Sequence, residues 1–107
     1  MLSKKHRITT REFKQLGRPL RLWNGPLFNI RFHSTEARAP KFVVVVSKKV
    51  SASAVRRNIL KRRLFSILRA FISRVQQNLA VVIFVKKEAV GASFQALKAA
   101  IESARFF

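Results

Sequence analysis

The chain has 107 residues and a formal net charge of +19, from 23 Lys or Arg against 4 Glu and no Asp. That length fits one domain of ordinary size, expected over residues 1–107, and a hydrophobic share of 49% with 10 Phe is enough to build a core. Four carboxylates, two His and no Cys or Tyr exclude most acid/base pairs, thiol nucleophiles, disulfides and metal cages, so no catalytic residue, metal or cofactor is expected on the protein itself.

Residues Thr9–Leu16 predict a short helix, with Thr9 as N-cap and Glu12 completing a capping box. Gly17 and Pro19 stop it, and Asn24-Gly25-Pro26 reads as a turn. Leu27–Phe32 alternates as a strand, His33–Pro40 is a polar connection, and Phe42–Val46 is a β-branched strand buried on both faces or nearly so. Ser53 caps the longest helix, which runs to about Gln76 with Leu60, Leu64, Ile67, Leu68, Phe71 and Val75 on one face. Val55 and Ile59 fall off that face, so the first turn is expected to pack against something else. Leu79–Val85 is a further apolar strand, and Gly91-Ala92-Ser93 leads into a closing helix with Phe94, Leu97, Ile101 and Ala104 turned inward. The order is helix, strand, strand, long helix, strand, helix, which predicts an α+β two-layer sandwich with helices packed on one small sheet. The strand pairing is not readable from the pattern.

Both apolar strands are far shorter than the roughly 20 residues of a membrane-spanning helix, so no membrane partner is expected. The N-terminus is basic and lacks the apolar stretch of a secretory signal, although its composition imitates a mitochondrial transit peptide.

The charge is unevenly placed. From Ala37 to Lys87 there is no acid, while 13 Lys or Arg occur, most densely from Lys48 to Arg63. Arg56, Arg57, Lys61, Arg62 and Arg63 crowd the start of a helix whose free amides are already partly positive. Stability alone selects against this arrangement, and a bound phosphate relieves it. A solvated basic face is the plain alternative, but the Arg share and the long exclusion of acid favour nucleic-acid binding. Phe13, Trp23, Phe28 and Phe32 are interleaved with Arg11, Lys14, Arg18, Arg21 and Arg31, the composition of a platform for unpaired bases. Phe28 and Phe32 serve equally well as core residues of one strand. Phe42, Phe71, Phe84 and Phe94 are expected in the core. His6 and His33 have no ligand partners at metal spacing and are expected to face solvent or RNA.

Ser47-Lys48-Lys49-Val50, followed by Ala54-Val55-Arg56-Arg57-Asn58-Ile59-Leu60-Lys61-Arg62, resembles the signature of the bacterial ribonuclease P protein subunit. The opening Leu2–Ile8 with Phe13, the strand Val81–Val85 with Lys86 and Lys87, and the closing helix with Phe94 and Leu97 are similar too. The resemblance implies the ribosomal S5 domain 2-like sandwich with a small mixed sheet, including a left-handed βαβ crossover that the general right-handed rule does not give. It implies a bacterial cytoplasmic protein that binds one catalytic RNA, 1:1, and the 5′ leader of precursor tRNA. The RNA hydrolyses the leader using Mg²⁺, and the protein alone is inactive. By position, Lys48, Lys49, Arg56, Arg57, Asn58, Lys61, Arg62 and Arg63 would contact the catalytic RNA. Arg7, Phe13, Phe28, Phe32, Lys86 and Lys87 would form the leader cleft. The chain departs from the family at Ile59, where many members have Arg, and at Phe65 and Ser66, where many have Arg-Glu. Its loop Ser51-Ala52-Ser53 lacks the common Gly, and Asn78 stands near a frequent Asp.

The alternatives are a ribosomal or other structural RNA-binding protein, a DNA-bending protein, and a protein-only nuclease. The first shares the charge argument without explaining the paired motifs. The second calls for wedge residues, for which Pro19 and Pro26 are poor material. The third needs clustered carboxylates.

Overall fold

The computed structural model describes residues 4–36, 38–75 and 77–104. Helix α1 spans Thr10–Gln15, strand β1 Arg21–Asn24, β2 Phe28–Ser34, β3 Lys41–Val45, helix α2 Ala54–Phe71, β4 Leu79–Val85 and helix α3 Phe94–Ser103. Short 3-10 turns occur at Lys4–His6, Ile72–Arg74 and Lys87–Ala89. The four strands form one sheet in the order β1-β2-β4-β3, in which β1, β2 and β4 are antiparallel neighbours and β3 is parallel to β4. Three helices on this mixed sheet make the α+β sandwich expected from the element order.

Local chemistry explains the helix starts. Thr9 Oγ1 accepts from the Glu12 amide at 3.1 Å while Glu12 Oε1 accepts from the Thr9 amide at 3.1 Å, the reciprocal capping box. Ser53 caps α2 by accepting from the Arg56 amide, and Ser93 caps α3 by accepting from the Ala96 amide. Gly91 precedes that last cap at φ +84°, a left-handed backbone that favours glycine. At the β1–β2 turn a Cβ on Gly25 would overlap the Trp23 ring, so only glycine lets the indole close over the turn.

Period-2 alternation sorts the side chains onto two faces. On one face Phe28, Ile30 and Phe32 of β2, Phe42 and Val44 of β3, and Leu79, Val81, Ile83 and Val85 of β4 meet Leu60, Leu64, Ile67, Leu68 and Phe71 of α2 and Leu97, Ala100 and Ile101 of α3. On the other face Ala80 and Val82 pack with Ile8, flanked by Leu16, Val43, Val45 and Phe84. Segment 7–16 therefore covers the face that α2 and α3 leave open. It is tied there by the Ile8 amide donating to the Phe42 carbonyl at 2.9 Å and by the Lys41 ammonium on Glu12 at 2.6 Å. That ammonium is the main reason the Glu12 carboxyl is held below its usual range.

Several expectations need correction. β1 was not expected; its four residues are mostly exposed and show no alternation of burial. The long helix ends at Phe71 and passes into the 3-10 turn; Gln76 lies outside the described residues, as do Leu2 and Ser3 of the opening motif. Val55 and Ile59 pack against no core and are 68% and 39% exposed. Phe94, expected inward, is the first residue of α3 and is 43% exposed, whereas Leu97 and Ile101 further along the helix are buried. His6 does not face solvent freely: its Nδ1 donates to the Pro40 carbonyl at 2.9 Å. His33 is buried, at 5% exposure.

Candidate nucleic-acid interface

The topology gathers the cations. β3 and β4 are parallel, so both leave the sheet at the same end, and α2 starts from that end. Lys48 and Lys49 follow β3, Lys86 and Lys87 follow β4, and Arg56 and Arg57 stand in the first turn of α2, which contains no acid. Glu88, next to Lys87 in the 3-10 turn, is the acid nearest in sequence to this end.

The cations differ in freedom. Arg57 is half-buried and its Nη1 donates to the Ser51 carbonyl at 2.8 Å, bracing the loop before the helix. Lys86 is half-buried and donates to the Gly25 carbonyl at 2.8 Å, tying the end of β4 to the β1–β2 turn. Lys48, Lys49, Arg56, Asn58, Arg62, Arg63 and Lys87 are exposed. At about 100° per residue, Asn58 and Arg62 lie on the crest of α2 opposite its buried stripe. Arg57 and Lys61 lie on one flank of that stripe, and Arg56 and Arg63 on the other. The exposed side of the helix thus presents a cationic ridge of Arg56, Arg62 and Arg63 with Asn58, interrupted by Val55 and Ile59, whose cations suit contact with a phosphate backbone.

The opposite face of the sheet holds a cleft of about 200 Å³, lined by Phe13, Leu16, Gly17, Pro19, Arg31, His33, Val82 and Phe84. Phe13 is 38% exposed at its mouth. The Arg31 guanidinium carbon lies 4.8 Å above the Phe84 ring centroid, within cation–π range of an aromatic face. Here the sequence-based assignment of the cleft is corrected. Phe28 and Phe32 are 0% and 1% exposed and point to α2 and α3, so they are core residues and line no cleft. Arg7 forms a backbone bridge with Phe42 beside β3 and is not among the residues lining the cleft, which is built on β2 and β4. Of the residues expected in this cleft, Phe13 lines it, and Lys86 and Lys87 follow the strand that forms its floor. Arg31, His33 and Phe84 were missed as a group. The alternation of β2 was the available signal, since Phe28, Ile30 and Phe32 take one face and Asn29, Arg31 and His33 must take the other.

His33 Nδ1 and Asn29 Oδ1 are buried without a hydrogen-bond partner among the described residues. Burial pushes the His33 imidazole below its usual pKa, helped by the charge of Arg31 and opposed by the Gly17 carbonyl. A histidine held neutral in the folded state binds fewer protons than in the unfolded chain, so folding loses stability as pH falls through the ordinary histidine range. The wild type is expected to lose more stability than a His33→Leu variant between pH 7.5 and 5.5, read by denaturant melts. Parallel pH profiles for the two proteins would show that His33 does not carry this dependence.

Among the described residues no three His, Asp or Glu come together to hold a metal ion, and no helix is long and apolar enough to cross a membrane.

Solved structures of known proteins share this fold. An RNase P protein of Staphylococcus aureus, a mutant with defective mRNA degradation activity, is 18% identical at a TM-score of 0.85, covering 97% of this chain and 92% of that one. Another S. aureus RNase P protein structure is 19% identical at a TM-score of 0.79, covering 95% of this chain and 97% of that one. The RNase P protein of Thermotoga maritima is 20% identical at a TM-score of 0.72, covering 86% and 83%. These likenesses establish a shared fold. No curated protein matches the chain by sequence. The family model described as Ribonuclease P matches residues 2–105, nearly the whole sequence, and with the basic helix start and the sheet order described above it shows that this chain belongs to the ribonuclease P protein family.

Proposed function

We propose that this ribonuclease P protein docks a catalytic RNA on its basic strand end and the ridge of α2, and holds the single-stranded 5′ leader of precursor tRNA in the cleft beneath α1. The observation that carries this reading is the separation of two surfaces of different chemistry on opposite faces of one sheet. The α2 ridge offers cations with no aromatic partner, which suits the backbone of folded RNA. The cleft offers Phe13 and an Arg31–Phe84 stack, which suits unpaired bases taken by stacking with little sequence readout. Hydrolysis belongs to the RNA with its Mg²⁺ ions, the protein alone is inactive, and the complex is 1:1 in a bacterial cytoplasm. The protein's part is to screen phosphate repulsion and to fix the leader.

Reconstitution tests this directly. Protein mixed with a bacterial ribonuclease P RNA at low Mg²⁺ should restore cleavage of precursor tRNA at the mature 5′ end, with no cleavage by protein alone. Tight, salt-dependent RNA binding without stimulation would instead make the chain a structural RNA binder. Within the holoenzyme, Phe13→Ala should weaken precursor tRNA by roughly tenfold while sparing mature tRNA, since one base stack is worth about 1–3 kcal/mol. Equal losses for both substrates would contradict the leader cleft.

A further inference from the structure

One surface feature is absorbed by neither the phosphate ridge nor the leader cleft. On the flank of α2 nearest α3, Ile59, Leu60, Val90 and Gly91 form an apolar pocket of about 250 Å³, with Arg56 and Arg63 at its sides. Arg56 and Arg63 are two helical turns apart, about 10 Å along the axis. Ile59 is 39% exposed and Val55, one turn earlier, is 68% exposed, on a helix whose other exposed positions through Arg63 are Ala54, Asn58 and the cations Arg56, Arg62 and Arg63. Gly91 contributes bare backbone to the rim: a Cβ there would meet nothing within 4 Å, and its φ of +84° keeps larger residues out.

A purely electrostatic docking face has no use for this pocket, since aliphatic side chains among phosphates gain nothing from counterion release. The charge around it decides what enters. Two Arg on the rim of an otherwise apolar hollow repel cationic peptides and a second copy of this +19 chain, and they attract a polyanion. A polyanion that also carries flat apolar groups is a nucleic acid with a base turned out of its stack. Unpaired, splayed bases are the part of a folded RNA that a protein can take into a pocket, and Arg planes are regular partners for them.

We infer that the Arg56–Ile59–Arg63 pocket receives one unstacked nucleobase of the RNA partner, with its flanking phosphates on Arg56 and Arg63. This deepens, and rests on, the reading that α2 docks the catalytic RNA. The base enters between Ile59 and the Val90-Gly91 turn, so the site links the RNA to the β4–α3 connection as well as to the helix.

The test exploits a difference in sign. Ile59→Arg adds a cation to the ridge and closes the pocket. If docking here is by phosphates alone, the variant should bind a bacterial ribonuclease P RNA at least as tightly as the wild type, with a salt slope about one unit steeper. If the pocket holds a base, binding should weaken about tenfold despite the added charge. Ile59→Ser, which empties one wall without adding charge, should weaken it as well. Base-directed chemical probing supplies a second readout: one unpaired nucleotide protected in the wild-type complex should become reactive with either variant while the remaining footprint persists. Unchanged or tighter binding by Ile59→Arg, or an unchanged reactivity pattern, overturns the inference. Arg62→Ala separates this from failure of the docking reading. If Arg62→Ala weakens binding while both Ile59 variants do not, the pocket fails and the ridge stands. If the wild type does not bind, or Arg62→Ala has no effect, the docking reading fails. Ile59 is half-exposed, so both variants should keep the wild-type circular dichroism and melting behaviour, and a variant that does not is replaced by Ile59→Asn in the same assays.

Discussion

Phe32→Ala is expected to lower the stability of the fold strongly rather than to impair leader binding selectively. Phe32 is 1% exposed among α2 and α3 side chains, with the Arg21 guanidinium carbon 4.3 Å from its ring centroid. Removing a buried Phe costs about 3–5 kcal/mol through lost transfer energy and an unfilled cavity. A domain of this size holds roughly 5–15 kcal/mol in all, so the loss should appear as a large drop in melting temperature. Below its lowered melting temperature the variant should still prefer precursor over mature tRNA. A variant with wild-type stability and lost preference would place the ring in the cleft and contradict the burial described here.

Replacing Arg57 and Arg62 together with alanine should weaken assembly with a ribonuclease P RNA by about a hundredfold at moderate salt, as two charge-assisted contacts are lost. The dependence of log K on log salt should flatten by about two units, one for each phosphate contact. The two residues contribute differently. Arg62 stands free on the crest of α2, whereas Arg57 also braces the loop through the Ser51 carbonyl. Arg57→Lys should therefore keep most of the salt slope yet lose affinity, because an ammonium cannot reproduce the guanidinium fork. An unchanged slope in the double variant would remove α2 from the RNA interface.

What the sequence discloses and what it hides divide along the range of the interactions. Thr9 with Glu12, Ser53 and Ser93 were legible as helix starts because a cap acts within three residues of itself. Leu79–Val85 was legible in full because an apolar run bounded by turn residues and lysines has no other stable use. β1 was hidden because Arg21–Asn24 is held by pairing with residues 29–32 across the Gly25 turn and carries no pattern of its own. The sheet order was hidden for the same reason: nothing local states that β4 lies between β2 and β3. The error at the candidate site is of another kind. Phe28 and Phe32 are neighbours of Arg31 along the chain but not in space, since a strand sends adjacent side chains to opposite faces. A period-2 reading separates them, and it leaves Arg31 to find its aromatic partner, Phe84, on a strand more than fifty residues away. The apolar pocket beside Ile59 was foreshadowed by Val55 and Ile59 falling off the buried stripe, although a packing partner was expected where solvent lies.

The place of β4 also bears on how the chain comes into being on a ribosome. It lies between β2 and β3, it is synthesised after both, and among the described residues β3 has no strand partner besides it. Until Leu79–Val85 emerges, the sheet cannot close, and β2 and β3 offer open edges. Residues 1–78 therefore wait as an unfinished, strongly cationic segment, and cooperative structure appears only once β4 has emerged. A stalled or truncated product ending before β4 would not be a smaller version of this protein but an unfolded basic chain, open to proteolysis and to capture by any nearby polyanion.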